Sequence, residues 1–320
     1  MMGSEDIDLG LGNVWNAWFE FRKGKRMSMA MHEFQYNLEI NLMELHQDLV
    51  NSTYKHGPYR HFIVCDNKRR EISVSLVRDR VVHRLLYDYL VPIWDKTFIY
   101  DAWSCRRGKG LLAAIERTQK FLKAYPQAYV WRADVQKFFD SVDQRVLFEL
   151  LKRRVKDRTA MLLIREVLKS HQSSREGVGM PIGNLTSQIF SNIYLNELDR
   201  FVKHTLQPKA YLRYGDDFLL FEMDLEKLED MKEAVTTFLA NELKLTLHTK
   251  NNVLVKACHG LKFLGVELWS SGRRLSKRNK VRIANRLNLK NVPSYHGVLA
   301  KHGSPKLKKW LDWKVHELIC

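Results

Sequence analysis

The chain has 320 residues, 45% of them hydrophobic, with 53 lysines and arginines against 36 aspartates and glutamates, a formal net charge of +17. That length allows a large core in roughly two or three subdomains, and so basic a balance points to a polyanionic partner, nucleic acid or an acidic membrane surface. No apolar run of about eighteen residues exists to span a bilayer, which leaves nucleic acid as the expected partner. Cys65, Cys105, Cys258 and Cys320 are scattered without CxxC spacing, so neither a zinc site nor a disulfide framework is expected. Met1 to Gly12 is acidic and lacks the regions of a signal peptide, and the expected location is cytoplasmic.

In chain order, Trp15, Trp18, Phe19 and Phe21 precede the basic run Arg22–Arg26, and Phe34, Leu38, Leu42, Leu45 and Leu49 recur at helical spacing over residues 30–50. An aromatic stripe of this kind is more often core than a base-stacking platform. Phe62–Cys65 and Ile72–Leu76 read as strands around the basic turn Asp66–Arg70. Such a tip is commonly a solubility feature; alternatively Arg70 reaches a triphosphate, since its forked donors suit phosphate oxygens. A helix over 79–90 leads to Pro92, and Trp103–Gly110 then carries Arg106, for which a phosphate contact and a structural role are balanced on local grounds. Gly108-Lys109-Gly110 is not a P-loop, because both the spacing and the preceding strand are wrong. A helix over Leu111–Ala124 follows.

Tyr129–Asp134 is an apolar strand-like run ending on an acid, followed by Phe138 and Phe139. Helices are expected over Gln144–Arg154 and Thr159–His171. Gly179–Gln188 then opens a long helix through about residue 206, with Asn184 or Thr186 as its cap. Tyr211–Phe221 reads as two short strands joined at Gly215-Asp216, which puts Asp216 and Asp217 at a hairpin tip. Adjacent acids in a loop are usually just solvated, but this pair sits in an apolar hairpin and Asp134 ends another strand. Three carboxylates gathered there suit Mg²⁺, whose remaining ligands are water and substrate phosphates. Two such ions about 4 Å apart perform nucleotidyl transfer. A helix over 225–242 precedes strand-like stretches at Leu245–Lys250 and Leu261–Leu268, and the basic tail from Gly272 reads as a small helical subdomain that grips a nucleic-acid backbone through Arg273, Arg274, Lys277 and Arg278.

Together these stretches resemble the reverse transcriptases over residues 60–320. Tyr214–Asp217 matches the Tyr-x-Asp-Asp box, Asp134 with Phe138-Phe139 the first-aspartate box, Met180–Gln188 the helix-opening box, and Lys250 and Phe263-Leu264-Gly265 the later boxes. The resemblance implies an α+β chain in a right-hand polymerase fold. Its parts would be a helical extension (1–59), fingers (60–125 and 147–176), an antiparallel-sheet palm (126–146 and 177–268) and a short helical thumb (269–320). Asp134, Asp216, Asp217 and the Val135 carbonyl would hold two Mg²⁺ ions, with Mn²⁺ as an alternative. Phe139 matches the steric gate against a ribose 2′-hydroxyl, with Phe138 beside it. Arg70 and Arg106 resemble the triphosphate-binding arginines, Lys250 the lysine that protonates pyrophosphate, and Phe263-Leu264-Gly265 the primer grip.

The helix-opening box departs from the common Gln-Gly-x-x-x-Ser-Pro. Here Ile182-Gly183-x-x-x-Ser187-Gln188 looks like the reverse transcriptases of diversity-generating retroelements, which make errors at template adenines. An isoleucine lacks the amide that would hydrogen-bond beside the nascent pair, so polar discrimination should weaken; a neutral packing substitution is the plainer reading of that one change. The resemblance implies template RNA, an RNA/cDNA duplex, dNTPs and a small basic accessory protein as partners, and no ribonuclease H or Cys/His endonuclease domain is expected. The alternatives are a retron or group II intron-like reverse transcriptase, and a non-catalytic RNA-binding protein on a palm scaffold.

Overall fold

The computed structural model describes residues 6–65, 69–171 and 175–319. Three helices, α1 (Leu11–Arg22), α2 (Met29–Tyr36) and α3 (Leu38–Val50), lead into the hairpin β1 (Arg60–Cys65) and β2 (Arg69–Val74). The expected 30–50 helix is broken at Asn37, whose φ of −113° and ψ of 42° leave the helical region. The long helix α4 (Val77–Trp94) runs past Pro92, which lies in its last turn. Next come α5 (Leu111–Ala124), β3 (Tyr129–Asp134), the single turn α6 (Phe138–Ser141), α7 (Gln144–Lys152), α8 (Arg158–Lys169) and α9 (Leu185–Arg200), which continues as a π-helical turn through Leu206. The hairpin β4 (Ala210–Tyr214) and β5 (Asp217–Glu222), helix α10 (Leu225–Glu242) and β6 (Val253–Lys256) complete a four-stranded antiparallel sheet ordered β4-β5-β3-β6.

The strands β3, β4 and β5 are buried on both faces, which explains why they read as nearly continuous apolar runs, while the edge strand β6 is partly exposed. Trp131, Ala133, Tyr211, Phe218 and Leu220 point into one core, shared with α1, α3, α4, α9 and α10. The alternate residues Val130, Leu212, Leu219 and Phe221 point into a second core with α5 and the C-terminal elements. The N-terminal helices are therefore part of the main core; α1 lays Val14, Trp18 and Phe21 against it.

Beyond β6 lie the small sheet β7 (Leu261–Phe263), β8 (Val266–Leu268) and β9 (Arg273–Leu275), then α11 (Lys277–Arg286), α12 (Val292–His302) and α13 (Pro305–Ile319). The tail expected to be helical from Gly272 thus first adds a strand to the hairpin before it. A second correction concerns Leu245–Lys250, which is not a regular strand. Leu247 faces Val135 and Val253 faces Arg132, so β3 advances three residues while the partner segment uses six. The excess loops out as a 3-10 turn over Thr249–Asn251. That turn sits beside the end of β3.

Candidate active site

The site begins with an arginine in an apolar strand. Arg213 on β4 is 1% exposed, a position that requires a partner for its charge. Asp199 on α9 supplies it, accepting from Nε at 2.8 Å and from Nη2 at 2.6 Å. Burial works against the charge on Arg213, but the Asp199 carboxylate more than offsets it and holds the guanidinium above its ordinary pKa. Nη1 also donates to the Asn192 side chain and, at 3.0 Å, to the carbonyl of Gly215. The Tyr211 hydroxyl donates to Asp199 as well, its own pKa pushed well up by burial and then by that carboxylate. A polar network thus fixes the turn that carries Asp216. Gly215 adopts φ +66° while Asp216 stays out of the left-handed region, as in a type II′ hairpin turn.

Register then sets the chemistry. Asp134 at the end of β3 lies directly across from Asp217 at the start of β5. The Val135 N–H bonds the Asp216 carbonyl at 3.3 Å, so Asp134 and Asp217 form the non-hydrogen-bonded kind of pair. In such a pair the facing Cβ atoms approach to about 4.5–5.5 Å on one sheet face. Asn251, on the looped-out turn, donates to Asp134 Oδ2 at 2.8 Å, and the His248 N–H bonds the Asp134 carbonyl at 2.8 Å. Arg132, two residues before Asp134 on the same face, donates to Asp217 Oδ1 at 3.1 Å. Among the described residues no three His, Cys, Asp or Glu side chains converge as a protein-only metal cage would require. The expected gathering of three acids is therefore looser than the sequence suggested: two carboxylates face each other and the third stands on the adjoining turn. Such a donor set fits Mg²⁺, which takes one or two carboxylates and fills its other positions with water and substrate phosphates.

The aromatic pair follows one turn on. Phe138 is buried, edge-on to Phe139 at 5.4 Å and near Tyr194 at 6.3 Å. Phe139 is half-buried, and its carbonyl accepts from the Met180 N–H at 2.8 Å, which ties it to the segment that opens α9. In that segment the Ile182 carbonyl accepts from the Ser73 N–H at 3.1 Å, seating Ile182 against β2. Gly183 has φ +115°, and a Cβ there would stand 2.9 Å from Ile72 Cγ2, so glycine is required for the close approach. Asn184 was expected as a side-chain cap; instead its amide donates to the Ser73 carbonyl and accepts from the Ser75 hydroxyl. Thr186, the other capping candidate, is buried against His83, 2.8 Å from its Nδ1. Burial pushes the His83 pKa down to about 3, helped by His56 and Arg80, and keeps that ring neutral. Gln188 is exposed on the first turn of α9.

The remaining expectations divide. Arg70 is exposed on β2, while Asp66–Lys68 of its turn lie outside the described residues. Arg106 departs from the triphosphate expectation: its guanidinium binds Asp95 and the carbonyls of Ile99 and Ala102, and its side chain is 9% exposed. Its donors are spent inside the protein, which makes it a structural brace. Phe263 is buried, Leu264 and Gly265 form the β7–β8 turn at φ +48° and +82°, and Asn279 of α11 donates to the Gly265 carbonyl. Lys250 is exposed on the looped-out turn beside Asn251. Lys277 and Arg278 are exposed at the start of α11. Arg273 reaches Glu116 and the Lys301 carbonyl, and Arg274 pairs with Glu267 while its side chain stays exposed. Arg132, Asp199, Arg213 and Asn251 went unrecognised in the sequence. The available signal was a charged residue inside an otherwise apolar strand, at Arg132 and again at Arg213.

With this geometry in hand, a family model described as reverse transcriptase (RNA-dependent DNA polymerase) matches residues 54–268. Protein YkfC of Escherichia coli (strain K12) is 25% identical over 295 residues, covering 78% of this chain and 76% of that protein. The group II intron-encoded protein LtrA of Lactococcus lactis subsp. cremoris is 21% identical over 300 residues, covering 72% of this chain and 50% of LtrA. Among solved structures, telomerase from Candida albicans, in complex with a TWJ fragment of telomeric RNA, matches with a TM-score of 0.52 at 12% identity. That match covers 81% of this chain and 55% of the telomerase chain, so this chain spans about half the length of either LtrA or the telomerase. The likeness is one of fold, a right-hand polymerase with an antiparallel-sheet palm.

Proposed function

The chain belongs to the reverse transcriptase family, and we propose that it copies a template RNA into cDNA, with frequent errors at template adenines, within a diversity-generating retroelement. The observation that carries the polymerase reading is the register placing Asp134 across from Asp217, with Asp216 on the adjoining turn. Residues 60–125 and 147–176 are assigned to the fingers, 126–146 and 177–268 to the palm, and 269–320 to the thumb. Asp134, Asp216 and Asp217 would hold Mg²⁺, which when bound supplies the charge that activates a primer 3′-hydroxyl and stabilises departing pyrophosphate. The chain's own residues orient the reactants. Asn251 and Arg132 fix the two carboxylates, Arg70 meets the triphosphate, and Lys250 delivers a proton to the leaving group. Lys277 and Arg278 meet the duplex backbone. A structured template RNA and a small basic accessory protein complete the assembly in a cytoplasmic setting.

Phe139 supports DNA synthesis over RNA synthesis, because a ring beneath C2′ leaves no room for a 2′-hydroxyl. Phe139→Ala should raise ribonucleotide incorporation relative to deoxyribonucleotide by about 10–200-fold, the range an apolar pocket contact commands. Competing rNTPs and dNTPs in primer extension would measure it. An unchanged ratio would remove Phe139 from sugar selection.

Ile182 carries the mutagenic reading. Its backbone is pinned to β2 through Ser73, and the resemblance of the box puts this isoleucine in the place of a glutamine whose amide would offer hydrogen bonds to the nascent pair. Ile182→Gln should reduce misincorporation opposite template adenine several-fold, read by sequencing cDNA made on an adenine-containing RNA. The likeness to LtrA favours a second reading, a group II intron-like reverse transcriptase without a mutagenic role. Accurate cDNA from the parent, with the cognate RNA and accessory protein present, would select it.

A further inference from the structure

Two arginines flank the carboxylates, and they differ. Arg213 is a brace with an acceptor at each of its three nitrogens, donating to Asp199, Asn192 and Gly215. Arg132 donates from Nη2 to Asp217 Oδ1 at 3.1 Å and from Nη1 to the Lys262 carbonyl at 2.8 Å, while its buried Nε has no acceptor. Its guanidinium also lies 5.9 Å from the centre of the Phe263 ring. Arg132 therefore ties a carboxylate of the catalytic pair to the β7–β8 hairpin, and it does so with a buried donor left unused. The guanidinium is thus held at two of its three nitrogens, one by the carboxylate and one by the hairpin.

We propose that Arg132 is a positioning residue that couples primer seating to metal capture. This rests on the polymerase reading above, with the β7–β8 hairpin as the primer grip. In the free chain Arg132 holds Asp217 and neutralises the repulsion between Asp217 and Asp134, so it competes with a divalent cation for the same oxygens. Seating the primer strand against the hairpin shifts the Lys262 carbonyl that anchors the guanidinium and turns Asp217 over to the ion. Metal binding and primer binding are thereby linked through one side chain, and by linkage each should strengthen the other.

The test is Mn²⁺ binding to the chain without nucleic acid, followed by electron paramagnetic resonance of the free ion, with circular dichroism as the folding check. Arg132→Gln should bind Mn²⁺ about tenfold tighter or more, the scale on which one adjacent opposite charge alters a carboxylate. Adding Asp217→Asn to that variant should abolish the gain. Arg132→Lys keeps the charge without the fork, so its Mn²⁺ affinity should stay near the parent's while its KM for primer–template rises. Unchanged or weaker Mn²⁺ binding by Arg132→Gln would overturn the proposal, as would an Arg132→Lys chain indistinguishable from the parent in KM. A parent that fails to extend any primer would sink the polymerase reading instead and leave the Mn²⁺ comparison to decide Arg132.

Discussion

Asp134→Asn should abolish nucleotide addition while leaving the protein as stable as before or more so. The asparagine keeps the shape of the side chain and an oxygen for the Asn251 amide, which now bonds Asp134 Oδ2 at 2.8 Å. What disappears is one of two negative charges facing each other across β3 and β5. Asp134 is only 8% exposed, so its charge is poorly hydrated in the folded state and a neutral amide of the same shape does not cost stability. Catalysis loses the oxygen charge that a metal-assisted phosphoryl transfer needs, and the rate should fall on the order of 10²–10³-fold or more, as when one preorganised transition-state contact is deleted. Steady-state primer extension and thermal unfolding on the same preparation check both halves. A variant that is inactive because it unfolds would contradict the assignment, since a purely structural carboxylate predicts that pattern.

The largest stability effect is expected at Asp199→Ala. It leaves the Arg213 guanidinium buried without its counter-ion, a change that costs about 3–5 kcal/mol. For a chain of this size the unfolding midpoint should drop on the order of 10 °C. Combining Asp199→Ala with Arg213→Met removes both charges and should restore most of that loss, because a buried ion pair is worth little against apolar groups of similar volume. Activity should not return with stability, because the methionine cannot donate to the Gly215 carbonyl and the turn bearing Asp216 loses its brace. Calorimetry with primer extension separates the two effects. Recovery of both together would show that the network serves stability alone.

Much of this arrangement is legible in the sequence because it rests on local pattern. Gly215-Asp216 between apolar strands specifies a hairpin, and the helices over Leu111–Ala124 and Leu225–Glu242 fall where their apolar spacing puts them. The resemblance of the boxes to reverse transcriptases supplied the family, and the family match over residues 54–268 agrees with it. What pattern did not supply is what depends on distant partners. Arg106 and Arg213 are both arginines beside glycine-containing loops, yet their roles follow from Asp95 and Asp199, which no spacing rule connects to them. The stretch at Leu245–Lys250 has strand composition, but its partner β3 ends at Asp134, and the surplus residues loop out where Asn251 meets that carboxylate. Asn184 looks like a cap and serves instead as a tie to β2, because Ser73 and Ser75 come within reach only after folding.

The most direct test of the account is primer extension on an adenine-containing RNA template with dNTPs and Mg²⁺, with the cognate RNA and accessory protein supplied where needed and the product sequenced. The account predicts DNA complementary to the template with errors concentrated at adenines, from the parent chain and not from Asp134→Asn. Template-dependent DNA made equally well by Asp134→Asn, or no RNA-templated DNA from the fully supplied parent, would contradict it.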